Sequence, residues 1–192
     1  MIFLNLRRYN ILKDAVLSII AIGIVILMLF CNKKVRIFSI IKSQFQVYRN
    51  DSTKRISLWD ILCFVIMPIV LGAIIVFGFE SSIDEKLAGV LTTVFAFIFT
   101  VLFGFAAILV GKLNSDNKLE KQVVNETFVS IMTCNILSLC SAIFSIIVIV
   151  IKNNYVIAVL SLFIYCFSFM IVMLLLLISK RTYVIYINQK NC

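Results

Sequence analysis

The stretch LAGVLTTVFAFIFTVLFGFAAILVG, Leu87–Gly111, contains no charged residue. About 20 consecutive apolar residues are enough for a helix to cross the hydrocarbon core of a bilayer, and this run is longer. Lipid offers an open backbone no hydrogen-bond partner, so such a segment crosses as a helix. Working outward, the same argument applies to Ala15–Cys31, Ser57–Phe79, Phe128–Ile151 and Tyr155–Ser179. The longest piece between them, Asn32–Ile56, is too short to build a core of its own. The expected fold is therefore all-α: one integral membrane helical bundle over residues 1–192, with a four-helix core and an N-terminal span. Ala15–Cys31 is at the lower limit of spanning length. The alternative is that Met1–Cys31 lies partly buried or at the membrane interface.

Composition agrees. Hydrophobic residues make up 62% of the chain and the mean hydropathy is +1.12, outside the range of soluble domains. The net charge is +9. Its position in loops beside apolar spans points to lipid head groups and topology, not to direct nucleic-acid contact. Histidine is absent, and none of the six cysteines forms a CxxC pair. Most of the cysteines sit inside spans, where the side chain acts as a small hydrophobe. No zinc or redox site and no cofactor are expected. No paired-carboxylate, Ser-His-Asp, Cys-His, P-loop or GxGxxG pattern occurs in a workable context, so a non-enzyme is expected. Arg7, Arg8 and Lys13 before the first apolar run resemble a signal-peptide start. Asn32-Lys33-Lys34, not a small-residue cleavage site, follows Phe30 and Cys31, so the first segment is read as retained.

The loops can be placed by their Lys and Arg content. Asn32–Ile56 carries Lys33, Lys34, Arg36, Lys42, Arg49, Lys54 and Arg55 and is expected in the cytoplasm. Glu80–Lys86, with Glu80, Asp84 and Glu85, is expected outside. Lys112–Thr127, with Lys112, Lys118 and Lys121, is expected inside, Lys152–Asn154 outside, and the tail with Lys180, Arg181 and Lys190 inside. These sides alternate across the last four spans. The sequon Asn125-Glu126-Thr127 then falls on the side where glycosylation does not occur.

Within Asn32–Ile56, apolar Val35, Phe38, Ile41, Phe45 and Tyr48 recur at helical spacing, with Ile37 and Ile40 beside them. This predicts an amphipathic helix on the cytoplasmic surface, serving as a connector on lipid or as a docking surface. Ser57 and Asp60 suit the start of the next span, Trp59 suits the interface, and Pro68 predicts a kink, with Gly72 allowing close approach one turn later. In Leu87–Gly111, Ala88, Thr92, Ala96, Thr100 and Gly104 recur every four residues. Small residues at this spacing let helix backbones approach in lipid, either within the chain or between copies. Ser130, Cys134, Ser138, Ser141 and Ser145 repeat the device less strictly. Asn135 is the one side-chain amide within the Phe128–Ile151 span, and it needs a partner.

The runs Ser57-Leu58-Trp59-Asp60-Ile61-Leu62, Met67-Pro68-Ile69, Leu91-Thr92-Thr93-Val94-Phe95-Ala96, Glu126-Thr127-Phe128-Val129-Ser130-Ile131 and Lys180-Arg181-Thr182-Tyr183-Val184 resemble small bacterial multi-pass proteins encoded beside phage-defence genes. The resemblance is to the KwaA family, the membrane components of Kiwa anti-phage systems, over about residues 55–186. The resemblance implies a homo-oligomeric inner-membrane protein that senses infection and signals to a cytosolic DNA-binding partner, KwaB. It offers no catalytic residues. By inference, Lys33, Lys34, Arg36, Arg49, Lys54 and Arg55, with Lys112, Lys118 and Lys121, would meet the partner.

Three functions compete at this point: a membrane sensor and scaffold in such a system, a pore-forming or holin-like protein that depolarises the membrane, and a non-catalytic transporter subunit. No charged residue sits mid-span, which disfavours a proton-coupled transporter or selective channel.

Overall fold

The computed structural model describes residues 37–47, 58–112 and 118–190, with Val16, Ile20, Gly23 and Ile24 as isolated helical positions. The predicted first span therefore lies almost wholly outside the described residues, as do Lys33, Lys34, Arg36, Arg49, Lys54, Arg55 and Ser57. Among the described residues there is no strand, and the chain is an all-α bundle. Four helices are long and apolar enough to cross a membrane: Trp59–Gly78, Glu85–Gly111, Lys121–Val150 and Asn154–Val184.

The first described element is α1, Ile37–Val47. The next helix is composite: α2 (Leu58–Ile61), a π-helical turn (Leu62–Ile66), α3 (Met67–Ala73) and a second π-helical turn (Ile74–Gly78). Pro68 accounts for the first widening, since it has no N–H to donate and its ring crowds the preceding turn. There the Met67 N–H reaches back five residues to the Leu62 carbonyl. The predicted kink is thus a pair of wide turns bracketing a short α segment.

Three long helices follow: α4 (Glu85–Lys112), α5 (Lys118–Val150) and α6 (Asn154–Lys190). Both α5 and α6 extend past their apolar stretches, α5 at its start and α6 at its end. Side chains cap two of the starts. Asp84 Oδ1 accepts from the Leu87 N–H at 2.8 Å, and Asn153 Oδ1 accepts from the Tyr155 N–H at 3.0 Å. Each satisfies a backbone donor that the helix itself leaves unpaired.

Helix α5 is central and packs against α1, α4 and α6, while α3 packs on α6. The core follows a seven-residue period. Ala88, Phe95, Leu102 and Leu109 of α4 are buried, as are Val124, Ile131, Ser138 and Ser145, and Thr127, Cys134, Ser141 and Val148, of α5. Ile164, Ile171 and Ile178 of α6 complete it. A seven-step series keeps one face toward its neighbour along nearly straight helices. Phe97 and Ile108 on the far side of α4 are exposed, as suits an outer surface that meets lipid.

Candidate functional site

The polar groups of the bundle are concentrated on α5. Thr127, Ser130, Thr133, Asn135, Ser138, Ser141 and Ser145 are all buried there. The reason is close packing: a hydroxyl on a small side chain keeps the helices near one another and can bond its own helix. Thr127 donates to the Val123 carbonyl at 2.7 Å, Ser130 to Glu126 at 3.0 Å, Thr133 to Val129 at 3.0 Å and Ser145 to Ser141 at 2.9 Å. Most of the stripe is therefore self-satisfied. It seals the helix contacts and presents no row of open polar groups.

Three residues break this pattern. Both amide atoms of Asn135 and the hydroxyls of Ser138 and Ser141 have no hydrogen-bond partner, although all are buried. Close by, α1 lies on α5 with Ile37 and Gln44 buried, and Phe45 exposed. Gln44 stands one residue before Phe45 of the predicted stripe. Gln44, a residue the sequence pattern does not single out, takes part: its Oε1 lies 3.5 Å from Thr133 Oγ1, and its Nε2 is unpartnered. Ile37 and Ile40 of α1, Phe99 and Phe103 of α4 and Asn135 of α5 help to line a half-open cleft of about 290 Å³.

The predicted four-residue series on α4 divides. Ala88 is buried and Thr92 half-buried, whereas Ala96, Thr100 and Gly104 lie on the outside. A Cβ added at Gly104 would meet nothing within 4 Å. Each step of four turns a helix about 40° past a full turn, so the series winds from the core to the surface. Among the described residues nothing covers its lower half. Cys134, Asn135 and Ser138 of the second series are buried in the core.

Two ties were not foreseen. Arg181 Nη2 pairs with Glu126 Oε2 at 3.1 Å, and Arg181 Nη1 donates to Ser130 Oγ at 3.2 Å. A signal for this pair exists in the sequence. Glu126 and Arg181 are nearly equidistant from the tight turn at Ile151–Asn153, so an antiparallel α5–α6 hairpin sets them opposite. The second tie fixes the acidic loop: the buried Ile83 donates its N–H to Ser161 Oγ on α6 at 2.9 Å. Nothing local in the sequence marks Ser161.

Of the predicted partner-binding lysines, Lys112 ends α4, Lys118 opens α5 and Lys121 is exposed. The Arg181–Glu126 pair brings Lys180 and Arg181 to the same end of the bundle. That end also holds the acids Asp60, Glu120 and Glu126, whereas Glu80, Asp84, Glu85, Lys86 and Lys152 occupy the opposite end. Among the described residues no group of three or more His, Cys, Asp or Glu could hold a metal ion. Comparison with family models, curated proteins and solved structures finds no match.

Proposed function

We propose that the chain is a non-catalytic membrane sensor and scaffold of a bacterial anti-phage defence system of the Kiwa type. In this reading it is a multi-pass protein of the inner membrane with a cytoplasmic C-terminus. It forms homo-oligomers and recruits or controls a cytosolic DNA-binding effector through its basic end. The observation that carries the reading is the placement of charge: Lys112, Lys118, Lys121, Lys180 and Arg181 gather at one end, and Glu80, Asp84 and Glu85 lie at the other. A basic face beside anionic lipid both fixes orientation and attracts an acidic partner. The exposed small-residue surface of α4, with Ala96, Thr100 and Gly104, supports the oligomeric part.

The test is a mild-detergent pull-down of tagged protein expressed from its native operon, with partners and assembly mass read by mass spectrometry. A homo-oligomer carrying a soluble, neighbour-encoded protein is expected. Reversing the charge of Lys33, Lys34, Arg36, Arg49, Lys54 and Arg55 should remove that partner and leave membrane insertion intact. Unchanged recovery of the partner would count against the reading.

A pore-forming function is the second reading, and one observation favours it. Asn135, Ser138 and Ser141 form an unpartnered polar cluster in the bundle core, which water would satisfy if the helices parted. Induced expression alone should then collapse the membrane potential. A steady potential at high expression argues for the scaffold.

A further inference from the structure

Helices α4 and α6 both pack on α5, and between them at the basic end of the bundle lies a half-open groove of about 520 Å³. Its lining changes along its length. Toward the bilayer centre it holds Leu102, Phe105, Leu175 and Ile178, of which Leu102 and Ile178 are buried. Toward the end of the bundle it holds Ser179, Thr182, Tyr183 and Tyr186, whose spacing sets them on one face of α6. The change falls at the edge of the apolar stretch. From Tyr155 to Ser179 the chain has no charged residue, and Lys180 and Arg181 follow. At about 1.5 Å per residue, Leu175 lies about 8 Å inside Lys180 and Tyr186 about 9 Å beyond it. The groove therefore runs from hydrocarbon into the head-group layer.

That order of environments constrains the occupant. A water-soluble ligand leaves the apolar part bare, and a plain hydrocarbon chain leaves the hydroxyls unused. An amphiphile matches both. Ser179 to Tyr186 covers about 10 Å along the helix, room for a phosphate and its glycerol linkage. Serine and tyrosine hydroxyls donate to phosphate oxygens, whereas Thr182 already donates to the Ile178 carbonyl at 2.9 Å. Charge selects the head group. No acid lines the groove, Lys180 is exposed and directly follows Ser179, and Lys112 ends α4 two turns beyond Phe105. Lysines at this level attract anionic lipid. A second copy suits a different face: Thr100 and Gly104, which permit close approach, stand about 100° round α4 from Val101 and Phe105 of the groove.

We propose that the groove between α4 and α6 binds one anionic glycerophospholipid, with an acyl chain along Leu102, Phe105 and Ile178 and the phosphate at the level of Ser179, Tyr183 and Tyr186. The site requires only the bilayer and is independent of the defence reading.

Two measurements test it. In the first, the unaltered full-length protein is delipidated in mild detergent, given equal dioleoyl-phosphatidylglycerol and dioleoyl-phosphatidylcholine, and read by native mass spectrometry. The first lipid retained should be phosphatidylglycerol, about tenfold over phosphatidylcholine. Equal retention overturns the proposal. The second measurement locates the lipid. Benzoylphenylalanine replaces Tyr183 in the groove or Ile66, an exposed residue outside it, in nanodiscs of the same two lipids in equal parts. Photo-cross-linking at Tyr183 should favour phosphatidylglycerol about fivefold or more over the ratio at Ile66. The same ratio at both positions means bulk lipid only, and a cross-linked dimer from Tyr183 means that a second copy fills the groove; either overturns the proposal. Leu175→Trp, which fills the apolar part, and the pair Tyr183→Phe and Tyr186→Phe, which removes two donors, should each weaken phosphatidylglycerol retention about fivefold or more. Unchanged retention in both variants, with helicity and elution as in the unaltered protein, also overturns it.

Discussion

Glu80 turns the chain after the first described span with φ 51°, and it is the one non-glycine residue at positive φ among those described. A left-handed conformation strains any side chain with a Cβ. The Ser81 N–H reaching the Ile75 carbonyl at 3.3 Å shows what the strain achieves, closure of the helix end. Glu80→Gly should stabilise the protein by about 0.5–1 kcal/mol in thermal or SDS unfolding. A lower midpoint would argue against the left-handed turn. Gly72 is the opposite case. A Cβ there would lie 2.8 Å from Cys166 Sγ and 3.2 Å from the Cys166 backbone nitrogen. Gly72→Ala should cost about 1–3 kcal/mol, and adding Cys166→Ala should recover part of the loss. No recovery would place the strain on the backbone alone. The Glu126–Arg181 pair is partly buried, with side-chain exposures of 29% and 16%. Glu126→Gln should cost about 1–2 kcal/mol, below the range for fully buried charged hydrogen bonds because water still screens the pair. A double-mutant cycle with Arg181→Met should show positive coupling, and additivity would mean the pair contributes nothing.

Helix α4 shows how two periods in one sequence compete. The four-step series Ala88–Gly104 is the more visible, because its residues are uniformly small. The seven-step series Ala88, Phe95, Leu102 and Leu109 is the one buried, and it is obscured in the sequence because nearly every residue of the helix is apolar. Phe95 is 3% exposed and Phe97 is 69% exposed. Phe95→Ala should therefore destabilise by at least about 1 kcal/mol more than Phe97→Ala, since only the former leaves a cavity. Equal losses in SDS unfolding would mean that a partner covers Phe97. The same opacity affects α1, where Ile37 and Gln44 are buried and Phe45 of the predicted stripe is exposed. A period read from composition locates a helix. Which face is covered depends on the neighbour, and in a uniformly apolar helix composition is a weak guide.

Across the molecule, charge placement makes a topology prediction. A phosphatase reporter fused after Lys190 should be inactive, and one inserted at Ser82 active, because only an external reporter folds. The reverse result would invert the proposed orientation and remove the basic end as a cytosolic docking face. The amino-acid sequence by itself determined the all-α class, four long apolar spans and the gathering of basic residues in alternate loops. Each follows from local physics, since lipid admits only helices and charges stay out of it. Tertiary structure alone decided that α5 is central, that Ser161 holds Ile83, that Gln44 faces Thr133, and that the Asn135 amide is buried with no partner. These depend on which helices are neighbours and at what rotation. In a chain whose spans are almost equally apolar on every side, only the summed packing of all of them fixes that choice.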